Sequence, residues 1–409
     1  MLTTESSAWR CDIDWTIGTT DIPPLYNELF VQEDLGSIAP SYPTKAYGAS
    51  DMVEIGSNKT CYGYDKSIEH FYWCGSTVVG LLDAKRVSYG VQWLSPAVVS
   101  DDDSVPDVEA DYVQLPDFGG GLNEMRVTDV SSDGNIMVGY GNNRRGPLAF
   151  RTNSAHIDAE TSTPIPKTLT IQDTTTMQTL QTTKALAVSS DGFIIAGTGY
   201  VKQGARAFVT TVLGENYTSI ELESTILPMI GGGRFAEATA ITTDGDYIAG
   251  RCDSPKGPQA CIWFKNVAAD GVEEWVVKGL GALAEQSFDS TATGITHLEG
   301  VSEVGNVMVI GYSSTNLYAS EAFVWSGNVG PEYDIDEEAS YFYDLEYILT
   351  KTGVGEISGM GSDWVLTAAT GISAAGDRIV GWGVNPEGNI EAFVVTNYPA
   401  FQPLIFTHE

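Results

Sequence analysis

The chain has 409 residues, of which 54 are acidic and 21 basic, giving a formal net charge of −33 at pH 7. That balance repels a phosphate backbone and argues against a nucleic-acid partner. No stretch reaches the roughly 18 consecutive apolar residues that a membrane-spanning helix needs, so no membrane insertion is predicted.

Residues 1–44 stand apart from the rest of the chain. Met1–Thr20 has neither a basic n-region nor an apolar h-region, so the sequence predicts no Sec signal peptide. Trp9–Gly18 alternates apolar and polar residues as a strand does, and Pro23–Gly36 has the composition of a short helix.

Residues 45–409 are organised by one repeated sentence, clearest at Ala185–Thr210. An apolar run (Ala185–Ser189) meets Asp191-Gly192, and a second run (Phe193–Gly197) comes next. A polar loop then leads to Ala207-Phe208, and Ser219–Leu227 supplies an alternating fourth strand. The spacing predicts a two-residue type I′ hairpin at Asp191-Gly192, with positive φ at the glycine. Further copies run through Val130–Gly139, Ile241–Gly250, Val301–Gly311 and Ile372–Gly381, placing equivalent turns at Gly134, Gly245, Gly305 and Gly376. A worn first copy is assigned to Gly56–Tyr64 with His70–Trp73, its landmark glycine being Gly63. From Gly63 to Gly381 the landmark glycines recur every 64 residues or so on average, room for a four-stranded unit. Such a unit cannot bury both its faces alone, and stacking units around an axis does so. The expectation is an all-β chain: a β-propeller of six blades of four antiparallel strands, or seven if the chain ends assemble one more. Trp9–Gly18 and Pro403–Thr407 are the candidates for closing the ring.

The residues Val188-Ser189-Ser190-Asp191-Gly192, Gly197, Ala207-Phe208 and Glu321-Ala322-Phe323-Val324-Trp325 resemble the HAF repeat of bacterial extracellular and autotransporter passenger proteins. The resemblance spans residues 45 to 396 and implies a scaffold outside the cell rather than an activity.

Two stretches exceed what the repeat needs. Val78–Asp117 reads as an insertion, and its Asp101, Asp102, Asp103, Asp107, Glu109 and Asp111 are weak calcium candidates, since that ion takes six to eight oxygens. The run lacks an EF-hand's glycine and spacing, so a solvated acidic loop is the simpler reading. Ile157–Thr183, rich in Thr, reads as a surface excursion with Lys167–Gln172 as an outer strand. Of the five cysteines, Cys61/Cys74 and Cys252/Cys261 sit in adjacent predicted strands, with Cys11 left over; buried free thiols fit the composition better than disulfides.

Catalytic signatures are sparse. His70, His156, His297 and His408 have no metal-ligand spacing, and no Gly-x-Ser-x-Gly elbow or P-loop lysine occurs. The repeated Ser-x-Asp-Gly differs from the sialidase Asp-box in having Asp and Gly adjacent, so its aspartates read as turn residues. Trp263 and Trp325 recur at equivalent positions, which assigns them to the core, whereas Trp364, Trp382, Tyr200 and Tyr318 are freer to stack on sugars. No catalytic residue and no cofactor is assigned. The expectation is a non-enzymatic structural or adhesive module of an extracellular assembly, foremost a bacteriophage virion component such as a tail, fibre or capsid-decorating protein. Its partners would be other proteins of the assembly or a cell-surface glycan. The alternative is a carbohydrate-binding or carbohydrate-active propeller with its site on the loop face.

Overall fold

The computed structural model describes residues 44–49, 64–65, 70–71, 78–84, 87–95, 111–118 and, with short gaps, 125–395. The first sheet comprises β1 (Thr44–Ala49), β4 (Val78–Ala84), β5 (Val87–Ser95) and β6 (Asp111–Gln114), while β2 (Tyr64–Asp65) and β3 (His70–Phe71) form a separate hairpin. The second sheet is β7 (Met125–Val130), β8 (Ile136–Asn143), β9 (Gly146–Asn153) and β10 (Lys167–Thr168). The third is β11 (Thr183–Val188), β12 (Ile194–Val201), β13 (Gly204–Glu215) and β14 (Ile220–Ile226). The fourth is β15 (Ala236–Ile241), β16 (Tyr247–Cys252), β17 (Gln259–Val267) and β18 (Glu273–Gly281). The fifth is β19 (Ser290–Leu298), β20 (Asn306–Ser313), β21 (Glu321–Asn328) and β22 (Tyr341–Asp344), which runs into the single turn α1 (Leu345–Tyr347). Last come β23 (Val365–Ile372), β24 (Ile379–Val384) and β25 (Ile390–Val395).

Five four-stranded antiparallel sheets therefore stand in a ring as the blades of a β-propeller. The expected count of six is corrected to this extent: the last repeat forms a three-stranded sheet, packed on the fifth blade. The ring-closing candidates Trp9–Gly18 and Pro403–Thr407 lie outside the described residues. First strands of successive sheets contact one another, so they form the inner wall.

The repeat's chemistry explains the blade. From the second sheet to the last the first strand carries a bulge of one extra residue, at Val127/Asp129, Ala185/Ala187, Ala238/Ala240, Ala292/Gly294 and Ala369/Gly371. Opposite each shift stands the landmark glycine. A Cβ on Gly139, Gly197, Gly250, Gly311 or Gly381 would lie only 1.9–2.1 Å from the carbonyl oxygen of Arg126, Lys184, Glu237, Thr291 or Ala368. The bulge pushes that carbonyl into the space a side chain would need, so only glycine fits. On the third strand the motif's phenylalanine pairs with the same glycine (Phe150, Phe208, Phe323, Phe393) and lays its ring across it. Each of these rings is buried, which contributes about 2–3 kcal/mol of hydrophobic stabilisation. The bulged residue is often Thr, whose hydroxyl crosses to the next blade: Thr128 donates to Ala185 O (2.9 Å), Thr239 to Ala292 O (2.7 Å) and Thr293 to Ala369 O (2.7 Å).

The hairpin turns differ from the type I′ expectation. Ser189 N donates to Ile194 O and Gly192 N to Ser189 O, so four residues, not two, lie in the loop. Positive φ is found at Gly134 (72°), Gly192 (77°), Gly245 (81°) and Gly376 (70°), while Met177 is the one non-glycine with positive φ among the described residues. Asp191 is thus on the negative side, which a type I′ turn forbids. Side chains make the longer loop stable. Ser189 Oγ donates to Asp191 Oδ1 (2.6 Å) and accepts from Ile194 N (2.9 Å), and Asp191 accepts from Phe193 N (3.0 Å). Ser131/Asp133 and Thr242/Asp244 repeat the arrangement. Gly305 lies outside the described residues.

The first blade also corrects the assigned insertion. Val78–Ser95 and Asp111–Gln114 are three of its four strands, and its landmark glycine is Gly80, paired with Ala46 beside the shift to Gly48. Between β1 and β4 lie residues 50–77, a much longer stretch of sequence than separates the first two strands of the other copies, so spacing alone points to Gly63 instead.

The two glycine classes predict different costs. Gly197→Ala drives a Cβ into backbone and should destabilise by about 3 kcal/mol or more. Gly192→Ala meets the side chain of Ile136 and an unfavourable φ, and should cost about 1–2 kcal/mol. Urea titration of both variants against the parent checks the order.

Candidate functional site

The connector after the second blade builds a groove. Its segment from Lys167 to Thr174 leaves β9 and runs beside the outer edge of β14, touching it in parallel at Asp173 and Ser224. Thr168, Thr170, Gln172 and Thr174 form one wall, Ile220, Leu222 and Ser224 the other, and Met177 stands over one end. The groove between them is open to solvent on one side and has a volume of 320 Å³. Alternation places Leu169 and Ile171 in the core and Thr168, Thr170 and Gln172 outward, which is why this wall is polar.

Both ends are tied. At one, Asp173 accepts from Ile226 N (2.8 Å), Thr176 N (2.6 Å) and Thr175 N (3.2 Å), and Thr174 N donates to Ser224 O (3.0 Å). Burial opposes ionisation of Asp173, yet these donors hold its pKa below the ordinary value. At the other end, Lys167 Nζ reaches Glu215 Oε1 at 2.8 Å, Arg151 bonds Glu215 Oε2, and Asn153 Nδ2 donates to the same oxygen at 3.1 Å. The side chains of Arg151, Lys167 and Glu215 are 2%, 8% and 7% exposed, so this cluster is interior and spans two blades. His156 Nδ1 lies 2.9 Å from Lys167 Nζ, and the ring of Tyr217 packs on its edge. Burial would raise the Glu215 pKa, but Lys167, Asn153 and Arg151 overcome it and hold the group at about 2. Sequence patterning gives no sign of this cluster, whose members are non-repeat residues far apart in the chain.

Other acidic groups have the opposite character. Glu321, at the start of β21, is pushed up to about 7 by burial, then by the charge of Asp344 and a hydrogen bond shared with it. Asp129 is fully buried in the inner wall, and burial raises its pKa although Val130 N (2.9 Å) and Val188 N (2.8 Å) donate to it. The turn residue Asp244 also meets His297 Nδ1 at 2.9 Å, so the pair favours an Nδ1–H tautomer.

The remaining sequence candidates do not converge on one place. Asp101, Asp103 and Asp107 lie outside the described residues, and Asp111 begins β6 opposite Ser95. Among the described residues no three metal-ligating side chains come together. Trp263 and Trp325 are buried, with Trp263 Nε1 donating to Pro228 O at 2.7 Å. Trp364, expected to be free, is buried in the core between the fifth and last sheets, whereas Trp382 and Tyr200 are exposed. Tyr318 lies outside the described residues. Cys252 and Cys261 are buried free thiols. No helix among the described residues is long and apolar enough to cross a membrane.

No protein-family profile and no curated protein matches the sequence. A solved structure of a putative TolB from Agrobacterium tumefaciens is similar over 66% of this chain and 81% of its own, with 12% identity and a TM-score of 0.35. That degree of likeness carries no argument about function.

The two shifted glutamates predict opposite pH limbs. Glu215, depressed below its ordinary 4.5, contributes stability that is complete above that value and is lost as pH falls toward about 2. Glu321, raised from 4.5 to about 7, makes stability decline as pH rises through that interval. Urea midpoints measured from pH 2 to 8 should show a flatter acid limb in Glu215→Gln and a shallower decline between about 4.5 and 7 in Glu321→Gln, where the other raised carboxylates such as Asp129 still contribute.

Proposed function

We propose that the protein is a non-enzymatic structural or adhesive propeller that serves as a rigid component of an extracellular assembly, with a bacteriophage virion as the favoured setting. The HAF-repeat resemblance and a sixth blade, completed by a terminal segment beside β25, belong to the same reading.

The observation that carries it is the groove between the connector and β14. Repeat-defining residues are spent on turns, bulges and blade packing, while the connector is extra material strapped at both ends to leave a slot. One wall is the outer edge of a blade, where Ser224 O already accepts from a parallel neighbour. Period-two geometry directs the main-chain groups of Leu222 and Ile220 to the same side. An extended polypeptide entering there gains backbone hydrogen bonds from β14, hydroxyl contacts from Thr168 and Thr170, and apolar cover from Leu222 and Met177. Loops and excursions on a rigid scaffold carry recognition without disturbing the fold.

The test uses Thr168→Arg and Thr170→Arg, at two exposed groove positions, in the full chain. Both should fold with stability close to the parent, yet incorporation into particles, followed by mass spectrometry of density-gradient fractions, should drop at least tenfold. Normal incorporation of both variants would remove the groove from the interface. Binding of a polysaccharide by the parent, lost in the same variants, would favour the carbohydrate reading instead.

A further inference from the structure

Consecutive strands of an antiparallel blade run in opposite directions. The turn between first and second strands therefore lies on one face of the ring, and the hairpin between second and third lies on the other. Charge is divided along that line. In the second, third and fourth blades the turns on the first face are residues 131–135, 189–193 and 242–246. They expose Asp133, Asp191, Asp244 and Asp246 and contain no basic residue. On the other face the hairpins of the same three blades expose Arg144, Arg145, Lys202 and Lys256. Arg234, in the connector that enters the fourth blade, is exposed beside them.

Backbone contacts fix both sets. On the acidic face Ser132 N donates to Ser190 O and Ser190 N to Thr243 O, each at 3.0 Å, so three turns form one collar. On the basic face each hairpin rests on the connector entering the next blade through a glycine of positive φ: Gly146 (122°), Gly204 (135°) and Gly257 (123°). A Cβ at these glycines would lie 3.0 Å from Thr182 Cγ2, 2.1 Å from Arg234 O and 2.3 Å from Phe288 O. Arg206 Nη1 donates to Arg234 O (3.0 Å), and Phe288 N to Lys256 O (3.0 Å). The exposed cations thus occupy equivalent points on three successive blades. Nearby charges of the opposite sign are engaged locally: Asp253 accepts from Arg234 N (3.2 Å), and Asp289 pairs with Arg251 (2.7 Å). On the acidic face His297 pairs with Asp244 (2.9 Å), and Lys265 lies 3.5 Å from Glu273.

We propose that the two faces are complementary halves of one interface, through which a second copy of this chain stacks head to tail on the first. Both sets are carried by the same blades and so share one angular spacing. A ring laid coaxially on another brings the three basic hairpins over the three acidic turns together. Turns and hairpins differ in distance from the axis by one strand spacing, about 5 Å, which the long Arg and Lys side chains span. An unrelated acidic partner would have to reproduce that spacing, whereas a second copy has it by construction. Such a contact is heterologous and leaves a free face at each end, so association does not close and yields columns. The charge of −33 on each copy repels at long range. At about 0.15 M salt the screening length is about 8 Å, which leaves contact between the complementary faces to decide. The stack uses neither the peripheral groove nor its ion cluster.

Sedimentation velocity of the full chain over a concentration series tests it. At about 0.15 M salt the mean mass should rise with concentration without a plateau, and it should fall back toward the monomer at about 1 M. Arg144→Glu with Arg145→Glu removes the basic face, and Phe193→Lys with Asp246→Lys reverses the acidic one without touching the serine–aspartate bonds of the turns. Each double variant alone should associate at least tenfold more weakly than the parent. Mixed in equal amounts they should form a dimer and nothing larger, because each keeps one intact face. Thermal unfolding of both variants confirms that they fold. A parent that stays monomeric, a closed parent dimer that stops growing, or a mixture that forms no dimer would overturn the proposal. A monomeric parent that instead binds alginate, with binding lost in the arginine variant, would also overturn it and assign the basic face to an acidic glycan.

Discussion

The contact on which the molecule depends is between a glycine and a carbonyl. In each repeat the first strand bulges, its carbonyl swings toward the second strand, and a residue without a side chain must stand there. The same missing side chain leaves a hollow into which the third strand's phenylalanine lays its ring. In the third and fifth blades and the last sheet an Ala–Gly–Phe triple thereby locks three strands in one register, with Val127 in place of the alanine in the second blade and Cys261 in place of the phenylalanine in the fourth. The bulge also turns a threonine hydroxyl outward to the next blade's inner strand, so the feature that fixes a blade also couples it to its neighbour. The third blade, with Leu186 at the bulge, uses Thr198 on its second strand to reach Ala236 O at 3.4 Å. The coupling is kept while the donor moves.

That arrangement divides labour along the chain. Residues of the repeat answer to backbone geometry, and connectors answer to other demands. The connector after β9 is held by a buried ion cluster, a costly device unless every charge is bonded. Here Glu215 receives Lys167, Arg151 and Asn153 together, and Lys167 is further engaged by His156 and Asn216 O. A hydrophobic contact would hold the connector as strongly but without fixing its direction. Ionic hydrogen bonds set the angle at which Thr168 and Thr170 face β14, and so the width of the slot.

Much of the blade is legible in the amino-acid order because its signals are local. Asp-Gly after an apolar run marks a turn, and Gly with Ala-Phe a dozen residues later marks paired strands. The features hidden from that reading depend on side chains acting across space. The serine and aspartate of Ser-x-Asp-Gly rebuild the turn as a four-residue loop, which the dipeptide alone does not reveal. The first blade is hard to place because Gly63 imitates a landmark, whereas Gly80 has no Asp-Gly turn before it. Trp364 precedes its strand and lacks an equivalent in other copies, so no periodicity betrays its burial. The groove and its ion cluster join residues from two blades and a connector. No single window of sequence contains them.

The inner wall holds a freedom of its own. At the address beside each landmark glycine, the fold constrains only the backbone: the carbonyl must approach, and the side chain is left unspecified. Thr291 and Ala368 show that a small neutral residue serves the structure there. Basic or acidic residues at Arg126, Lys184 and Glu237 are therefore not demanded by blade geometry, and their half-buried charges are an electrostatic cost to an isolated ring. The acidity of the rest of the chain lowers the cost of the cations, through long-range attraction, but raises that of Glu237. A group placed against the local field and not required by the backbone is where chemistry separate from folding is to be sought. The repeat thus leaves two kinds of freedom, in the connectors outside and at one side-chain position within.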